Sequence, residues 1–451
     1  MNQLCKLGIK KIIFLIKTKQ ISNYELTKIC LNNLLKTNKK NNFLIEIFYK
    51  NAIKYSKKMD RLNKISIPIS IKNIFSIKNK KLTCNSNILK KFKSKYDSSI
   101  SKLLKKNNFN ILSIDKLDEF CLGGSGLNNC NLYNLYNKNF VVGGSSAGSA
   151  LNISYGCNLF SIGSDTGGSI RTPSSYCGVV GYKPTNGLLS RYGMVPYSSY
   201  LDNCSIITNS VENCKYLFNI LNYKNKDLFS NKKYIFYNIK KKKIISIINY
   251  YDFFVDLEIK ILFEKIIRNF EKLGFLIDMT EINFHSLNEL YENISSKEFY
   301  SNSSKFDGIK YGFQKKFFKD ISDYIKLNRI FSNNCKNKIL KGQAEFRISK
   351  FNNFNNYFDI FLKKIFKNSQ FIIIPTNICF LKIIENNFSE YLDLFTLISN
   401  IYGYPTINMS MGFINHKPIG FSILSEKNYD TELLNLSILY ESSYFKNYVY
   451  N

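Results

Sequence analysis

Between residues 143 and 184 the chain reads GGSSAGSALNISYGCNLFSIGSDTGGSIRTPSSYCGVVGYKP. Gly, Ser and Thr crowd into two clusters, GGSSAGS and GSDTGGS, in a chain otherwise heavy in Lys, Asn, Ile, Phe and Tyr. Glycine admits backbone angles and close approaches closed to other residues. The stretch therefore demands tight turns around a hydroxyl-rich point. A phosphate cradle is one way to use such turns, but neither GxxxxGK[ST] nor GxGxxG is present. A tight turn followed by a buried small-residue helix would account for Ser145 to Leu151 on its own. It accounts less well for GSDTGGS, where consecutive glycines run into a serine. There several backbone N–H groups can converge beside a hydroxyl, as an acyl-transfer nucleophile with its oxyanion hole requires.

The flanking sequence supplies a core. Ser22 and Glu25 have capping-box spacing ahead of Leu26, Ile29, Leu31, Leu34 and Leu35, which repeat with helical period. A second helix is expected over Ala52 to Leu62. SIPISIKNIF (66–75) alternates with Ile67, Ile69 and Ile71 on one face, a strand with Lys72 at its end. Asp97-Ser-Ser-Ile opens another helix, before a strand at Phe109 to Ile114. Asp256 to Leu273 is a helix that Gly274 stops ahead of FLIDM. FIIIPT (371–376) and PIGFSIL (418–424) are further apolar strands. Helices alternating with short apolar strands predict an α/β fold: one large domain over 1–451 with a mixed, mostly buried sheet covered by helices. Residues 225–245, rich in Lys and Asn, are expected to form a surface excursion.

Composition narrows the function. The formal charge of +31 invites a nucleic-acid partner. The Lys excess runs through every segment, however, rather than gathering on one element, which suits compositional drift; steering of an anionic partner remains open. Eleven cysteines, an odd number without a CxxC pair, suit a reduced cytoplasmic chain. The N-terminal apolar run is too short for a signal or membrane helix. His285 and His416 are the only histidines and have no ligand neighbours in sequence, so no metal is expected. Scarce histidine also limits any serine mechanism that needs an imidazole base. A lysine can take that role, because burial favours the neutral amine that accepts protons. Lys72 is the lysine set in an apolar strand. Its plainer reading is a strand-end lysine reaching for water.

GGSSAGSA, GSDTGGSIRTPSSYCGVVGYKPT and SIPISIKNIF together resemble the amidase signature family over most of the chain. The resemblance implies the family's α/β fold and a Ser-cisSer-Lys triad. Ser169 is then the nucleophile, and Ser145, 24 residues upstream, bridges it to Lys72. The main-chain N–H groups of Thr166, Gly167, Gly168 and Ser169 form the oxyanion hole, and the Gly144–Ser145 peptide is cis. Asp165 and Arg171 are expected to be structural, holding the turn. The catalytic core would span about 60–210, with a divergent half over about 250–451 facing substrate and partners.

Four further stretches resemble the A subunits of glutamyl-tRNA(Gln)/aspartyl-tRNA(Asn) amidotransferases: KLDEFCLGGSGLNN, LLSRYGMVPYSSYLDNCSII, SSKFDGIKYG and HKPIGFSIL. That likeness implies glutamine hydrolysis to supply ammonia in a cytoplasmic heterotrimer. The B subunit would carry the ATP, Mg and tRNA chemistry, with a small C subunit beside it. This chain would meet tRNA only through the complex and bind neither cofactor nor membrane. Arg329, in IKLNRIF, would meet the substrate carboxylate. Asp393, seven residues before Asn400, would meet its ammonium. Tyr291, fifteen before Phe306, would line the pocket. Each also has a plainer reading: a surface cation, a helix cap and a core tyrosine. Ala147 stands where the pattern has glycine, FVV where it has R-V-P, and Asn73 where it has aspartate. The stretch before Arg329 is shortened. A free-standing amidase for another amide and a non-catalytic scaffold of the complex are the competing readings.

Overall fold

The computed structural model describes residues 4–222, 227, 244–248, 256–281, 285–312, 317–348, 356–383 and 393–444. The described residues form one mixed sheet of eleven strands. In chain order these are β1 (Leu44–Ile47), β2 (Ile67–Lys72), β3 (Phe109–Asp115), β4 (Phe160–Asp165), β5 (Val180–Lys183) and β6 (Asn203–Thr208). β7 (Ile244–Ile248), β8 (Leu276–Thr280), β9 (Phe371–Pro375), β10 (Thr406–Ile414) and β11 (Lys417–Ser425) follow. Across the sheet the order is β1-β3-β2-β4-β6-β5-β10-β11-β9-β7-β8. β2 runs parallel to both β3 and β4, and β7 runs parallel to both β8 and β9. The intervening pairs are antiparallel. The expected mixed α/β architecture is what the chain forms.

Local chemistry explains the elements that position the site. Ser22 caps helix Asn23–Asn41: its Oγ accepts the Glu25 N–H at 3.1 Å while Glu25 Oε2 accepts the Ser22 N–H at 2.8 Å. That helix buries Leu26, Cys30, Leu31 and Leu34 against the sheet. The second helix runs Tyr49–Arg61, starting about one turn before the expected Ala52 and ending one residue before Leu62. The helix Ser99–Lys106 is capped by Ser98 rather than opened by Asp97. The Ser98 hydroxyl accepts the Ser101 N–H at 3.1 Å. Asp97 instead accepts the Lys78 N–H at 2.9 Å and pairs with Lys105. Helix Leu257–Lys272 ends before Gly274, whose φ of +84° is in the left-handed region glycine tolerates best. Of the Lys/Asn-rich excursion at 225–245, only residues 227, 244 and 245 belong to the described part. No helix among the described residues is long and apolar enough to cross a membrane.

β2 decides where chemistry can occur. All six of its residues are buried, because it is central and has neighbours on both edges. Ile67, Ile69 and Ile71 join the apolar core. On the other face Ser70 donates to Asp115 at 2.7 Å. Lys72 ends β2, and Asp165 ends the parallel neighbour β4, so the GSDTGGS turn leaves the sheet beside Lys72. Carboxyl ends of adjacent parallel strands are the usual place for a site in such sheets. Helix Ala147–Ser154 starts directly after Ser145 and Ser146 and packs over β2 and β4.

Candidate active site

The two glycine–serine clusters meet around Lys72, which is wholly buried. Its Nζ is hydrogen-bonded to Ser145 Oγ at 2.8 Å, Ser146 Oγ at 2.8 Å and Ser164 Oγ at 2.9 Å. The amine end is therefore fixed by three hydroxyls rather than free to reach water. Ser146 Oγ in turn donates to the Ser164 carbonyl at 3.1 Å. The Gly144–Ser145 peptide is cis, as the resemblance implies. The Ser146 N–H donates to the Ser169 carbonyl at 3.1 Å, tying one cluster to the other. Ser145 is wholly buried, whereas Ser169 is 7% exposed and opens onto a cavity of about 480 Å³.

The turn holding Ser169 is built to expose backbone donors. The N–H groups of Gly167, Gly168 and Ser169 have no hydrogen-bond acceptor among the described residues. Gly168 has a φ of +146°, and a Cβ there would fall 2.4 Å from Thr396 Oγ1 and 2.7 Å from Asp393 Oδ1. Two side-chain networks fix the turn from behind. The Arg171 guanidinium grips Asp165 through Nε at 3.0 Å and through a second nitrogen at 2.9 Å. Both side chains are wholly buried. Arg171 also donates to the Thr396 carbonyl at 2.8 Å and to Asn400 Oδ1 at 2.5 Å, and Asn400 donates to Asp165 at 3.0 Å. Burial opposes the Asp165 charge, but Arg171, with Lys183 and Asn400, holds the carboxyl below its usual range. The Thr396 hydroxyl donates to the Gly167 carbonyl, and the Thr166 hydroxyl to Asp202 at 2.7 Å. The residues expected to be structural therefore act through position, not chemistry.

A second carboxylate shapes the other cluster. Asp118 accepts the N–H groups of Gly126 at 3.2 Å and Asn128 at 2.9 Å, and its own N–H donates to the Ser145 carbonyl at 3.2 Å. A Cβ on Gly144 would fall 2.0 Å from Asp118 Oδ2, so only glycine fits before Ser145. Burial pushes Asp118 up to about 7 despite the hydrogen bonds it accepts.

Among the expected substrate contacts, Tyr291 and Asp393 line the cavity with Ser169. The Tyr291 ring lies over the turn that carries Gly167, where a Cβ on Gly167 would come within 2.8 Å of it. Asp393 accepts from Thr172 Oγ1 at 3.1 Å, and burial pushes its carboxyl up to about 7. Arg329 is not brought to this lining. It follows the last turn of helix Ile321–Asn328, donates to the Phe306 carbonyl at 3.0 Å and covers the Phe331 ring. Phe306 and Phe331 both pack on Phe120, so Arg329 buttresses the loop beside the cavity. The cations that do line it are Lys338 and Lys341. Sequence reasoning misses these, and also Ser146 and Ser164 as partners of Lys72. Ser146 and Ser164 stand within the quoted clusters and are legible there as candidates; nothing in the sequence around Lys338 marks it.

The chain and its fold have known relatives. A family model described as Amidase matches residues 25–434. The chain is 31% identical over 482 residues to the A subunit of glutamyl-tRNA(Gln) amidotransferase from Clostridium botulinum (strain Loch Maree / Type A3), covering 98% of each. It is 31% identical over 462 residues to the protein of the same name from Legionella pneumophila (strain Corby), covering 94% of this chain and 95% of that one. Among solved structures, the A subunit of glutamyl-tRNA(Gln) amidotransferase from Thermotoga maritima superposes with a TM-score of 0.73 at 25% identity, over 91% of this chain and 90% of that one. A crystal structure of an amidase superposes with a TM-score of 0.82 at 18% identity, over 97% and 100%.

Proposed function

Because the chain belongs to the amidase family, we propose that it is the glutaminase subunit of a tRNA-dependent amidotransferase, releasing ammonia from glutamine by Ser-Ser-Lys acyl transfer. The observation that carries this reading is the 2.8 Å contact between the buried Lys72 amine and the Ser145 hydroxyl, with the Ser169 turn tied to the same cluster. Ser169 Oγ attacks the side-chain carboxamide carbon of glutamine. Its proton passes to Ser145 Oγ, whose own proton passes to the Lys72 amine. The carbonyl electrons move onto oxygen, and that oxyanion meets the N–H groups of Gly167, Gly168 and Ser169. Thr166 sets the entry to this turn. Collapse of the adduct breaks the C–N bond, and the proton held at Lys72 returns through Ser145 to the leaving nitrogen, giving ammonia and a glutamyl ester of Ser169. Water, deprotonated along the same relay, attacks the ester carbon; the C–O bond to Ser169 breaks, the relay's proton returns to Ser169 Oγ, and glutamate leaves.

On this reading Asp393, which lines the cavity, meets the glutamine ammonium, and Tyr291, which lies against Gly167, closes the wall beside the oxyanion turn. A carboxylate partner at Arg329 rests on the resemblance alone. On this reading ammonia passes to the B subunit, which carries the ATP, Mg and tRNA chemistry, and a small C subunit, wrapped around both, completes a cytoplasmic heterotrimer. The test is glutamine-dependent amidation by the chain with its partners, wild type against Ser169→Ala. The variant should lose glutaminase activity and still support amidation from added ammonia. A glutamyl ester trapped on any residue other than Ser169 would overturn the chemistry. Preference for an uncharged amide over glutamine would return the chain to the free-standing amidases.

A further inference from the structure

We propose that Lys338 is the cation that receives the α-carboxylate of glutamine. This rests on the glutaminase reading and names a determinant of its substrate specificity.

Two helices bring Lys338 to the cavity. On His285–Ser303 stand Tyr291 and Glu292; on Asn333–Ile348 stand Lys338 and Lys341. Their close approach is set by Gly342, where a Cβ would fall 2.1 Å from the Ser296 carbonyl. One turn earlier on each helix, Lys338 meets Glu292 at 2.9 Å; one turn later, the Tyr300 and Phe346 rings pack 6.3 Å apart. This ladder fixes the height of Lys338 above Tyr291, whose ring lies 5.9 Å below the amine. Tyr291 in turn lies over the oxyanion turn. The amine is therefore carried on a supported wall of the reaction site, with a side chain only 10% exposed.

Charge makes the case sharper. Lys338 and the more exposed Lys341 share one carboxylate, both at 2.9 Å from Glu292 Oε2. Two cations on one anion leave that wall with a surplus positive charge, facing a cavity whose other charged lining residue, among the described residues, is Asp393. An amino-acid substrate needs that pairing, one fixed cation and one fixed anion. Burial works against the Lys338 charge, but Tyr197 and Glu292 outweigh it and raise the amine above its ordinary value. Lys338 therefore stays a cation throughout the range in which Asp393 changes charge. Arg329, whose Nε donates to the Phe306 carbonyl and whose guanidinium covers the Phe331 ring, does not line this cavity.

Two analogues of glutamine isolate the contact. Glutaramate keeps the carboxylate and lacks the amine; 4-aminobutanamide keeps the amine and lacks the carboxylate. KM and kcat would be measured for all three with the assembled complex of wild type, Lys338→Met, Lys338→Arg and Arg329→Met. Lys338→Met should raise KM roughly ten- to hundredfold for glutamine and glutaramate. Its KM for 4-aminobutanamide should stay within about twofold, and Lys338→Arg should restore most of the lost affinity. Equal losses on all three substrates would make Lys338 a structural residue and overturn the assignment. So would a carboxylate-selective loss in Arg329→Met with none in Lys338→Met. A wild type that treats glutamine and 4-aminobutanamide alike would remove the glutaminase reading as well, which separates that failure from the failure of Lys338 alone.

Discussion

The residues around Lys72 and the residues facing them across the cavity are held to different standards. On the catalytic side, buried groups answer one another with little slack: Lys72 contacts three serine hydroxyls, and Gly144 and Gly168 have no room for a Cβ. On the opposite side, Lys338, Lys341 and Glu292 are partly exposed side chains reaching from two helices. Bond-making needs particular atoms within a hydrogen bond of one another, so it leaves a dense pattern of Gly and Ser. Recognition needs a charge at a place, and different residues on different helices can supply it. The first side therefore constrains sequence closely and the second constrains it loosely.

The largest effect expected falls on the catalytic side. Ser169→Ala should lower the rate of glutamine hydrolysis by several orders of magnitude, as loss of a nucleophile does, with an unchanged thermal transition. Residual turnover near the wild-type rate would break the contrast between the two sides. Lys72→Arg should be nearly as damaging as Lys72→Ala, because arginine keeps its proton and cannot act as the base. Steady-state hydrolysis by the two variants checks this, and an active Arg variant would remove the relay.

Effects across the cavity should be smaller and should appear in KM. Asp393→Asn removes a charge-assisted contact of roughly 1.5–3 kcal/mol, so KM for glutamine should rise about ten- to hundredfold. Glutaramate, which lacks the ammonium, should be much less affected, and ammonia-dependent amidation should not change. Asp393 also sets a pH limb. Its carboxyl is raised to about 7 by burial, so the ionised form that meets an ammonium falls away as pH drops through that value. The kcat/KM for glutamine should then fall as pH drops below 7 and level off near the Asp393→Asn value, a limb absent in Asp393→Asn. The same profile for both proteins would assign the limb elsewhere. Smallest of all is Ala147→Gly, which restores the family's usual residue at the start of a buried helix. Urea unfolding should show a cost of about 0.5–1 kcal/mol, with glutaminase activity unaltered.

How much of this is legible in the sequence follows the same division. Lys72 can be read from SIPISIKNIF because a lysine inside an apolar alternation is conspicuous, and Ser145 and Ser169 stand in glycine-rich clusters. The cap at Ser22 and the stop at Gly274 are local chemistry, decided within one turn. β5 and β6 escape such a reading: VGYK lies inside the glycine-rich stretch, and both strands exist through ladders to distant segments such as β10 and β4. Arg329 reads as a substrate contact because a motif marks type and spacing. Its direction is set by Phe306 and Phe331, whose packing on Phe120 joins segments far apart in sequence. Lys338 is one lysine among many until the helix contact at Gly342 distinguishes it.

The clamp of Arg171 on Asp165, Thr396 and Asn400 has a consequence for heredity. It fastens the turn that carries Ser169 to the short segment that also bears Asp393. A gene exchange that swaps the later part of this chain for a relative's would replace half of a buried ion network as well as a residue lining the cavity. A relative's segment serves only if it supplies a carbonyl and a side-chain amide where Thr396 and Asn400 stand, so residues 393–400 and the Asp165–Arg171 pair are constrained together. The helices carrying Tyr291 and Lys338 lie outside that network and are free of this constraint.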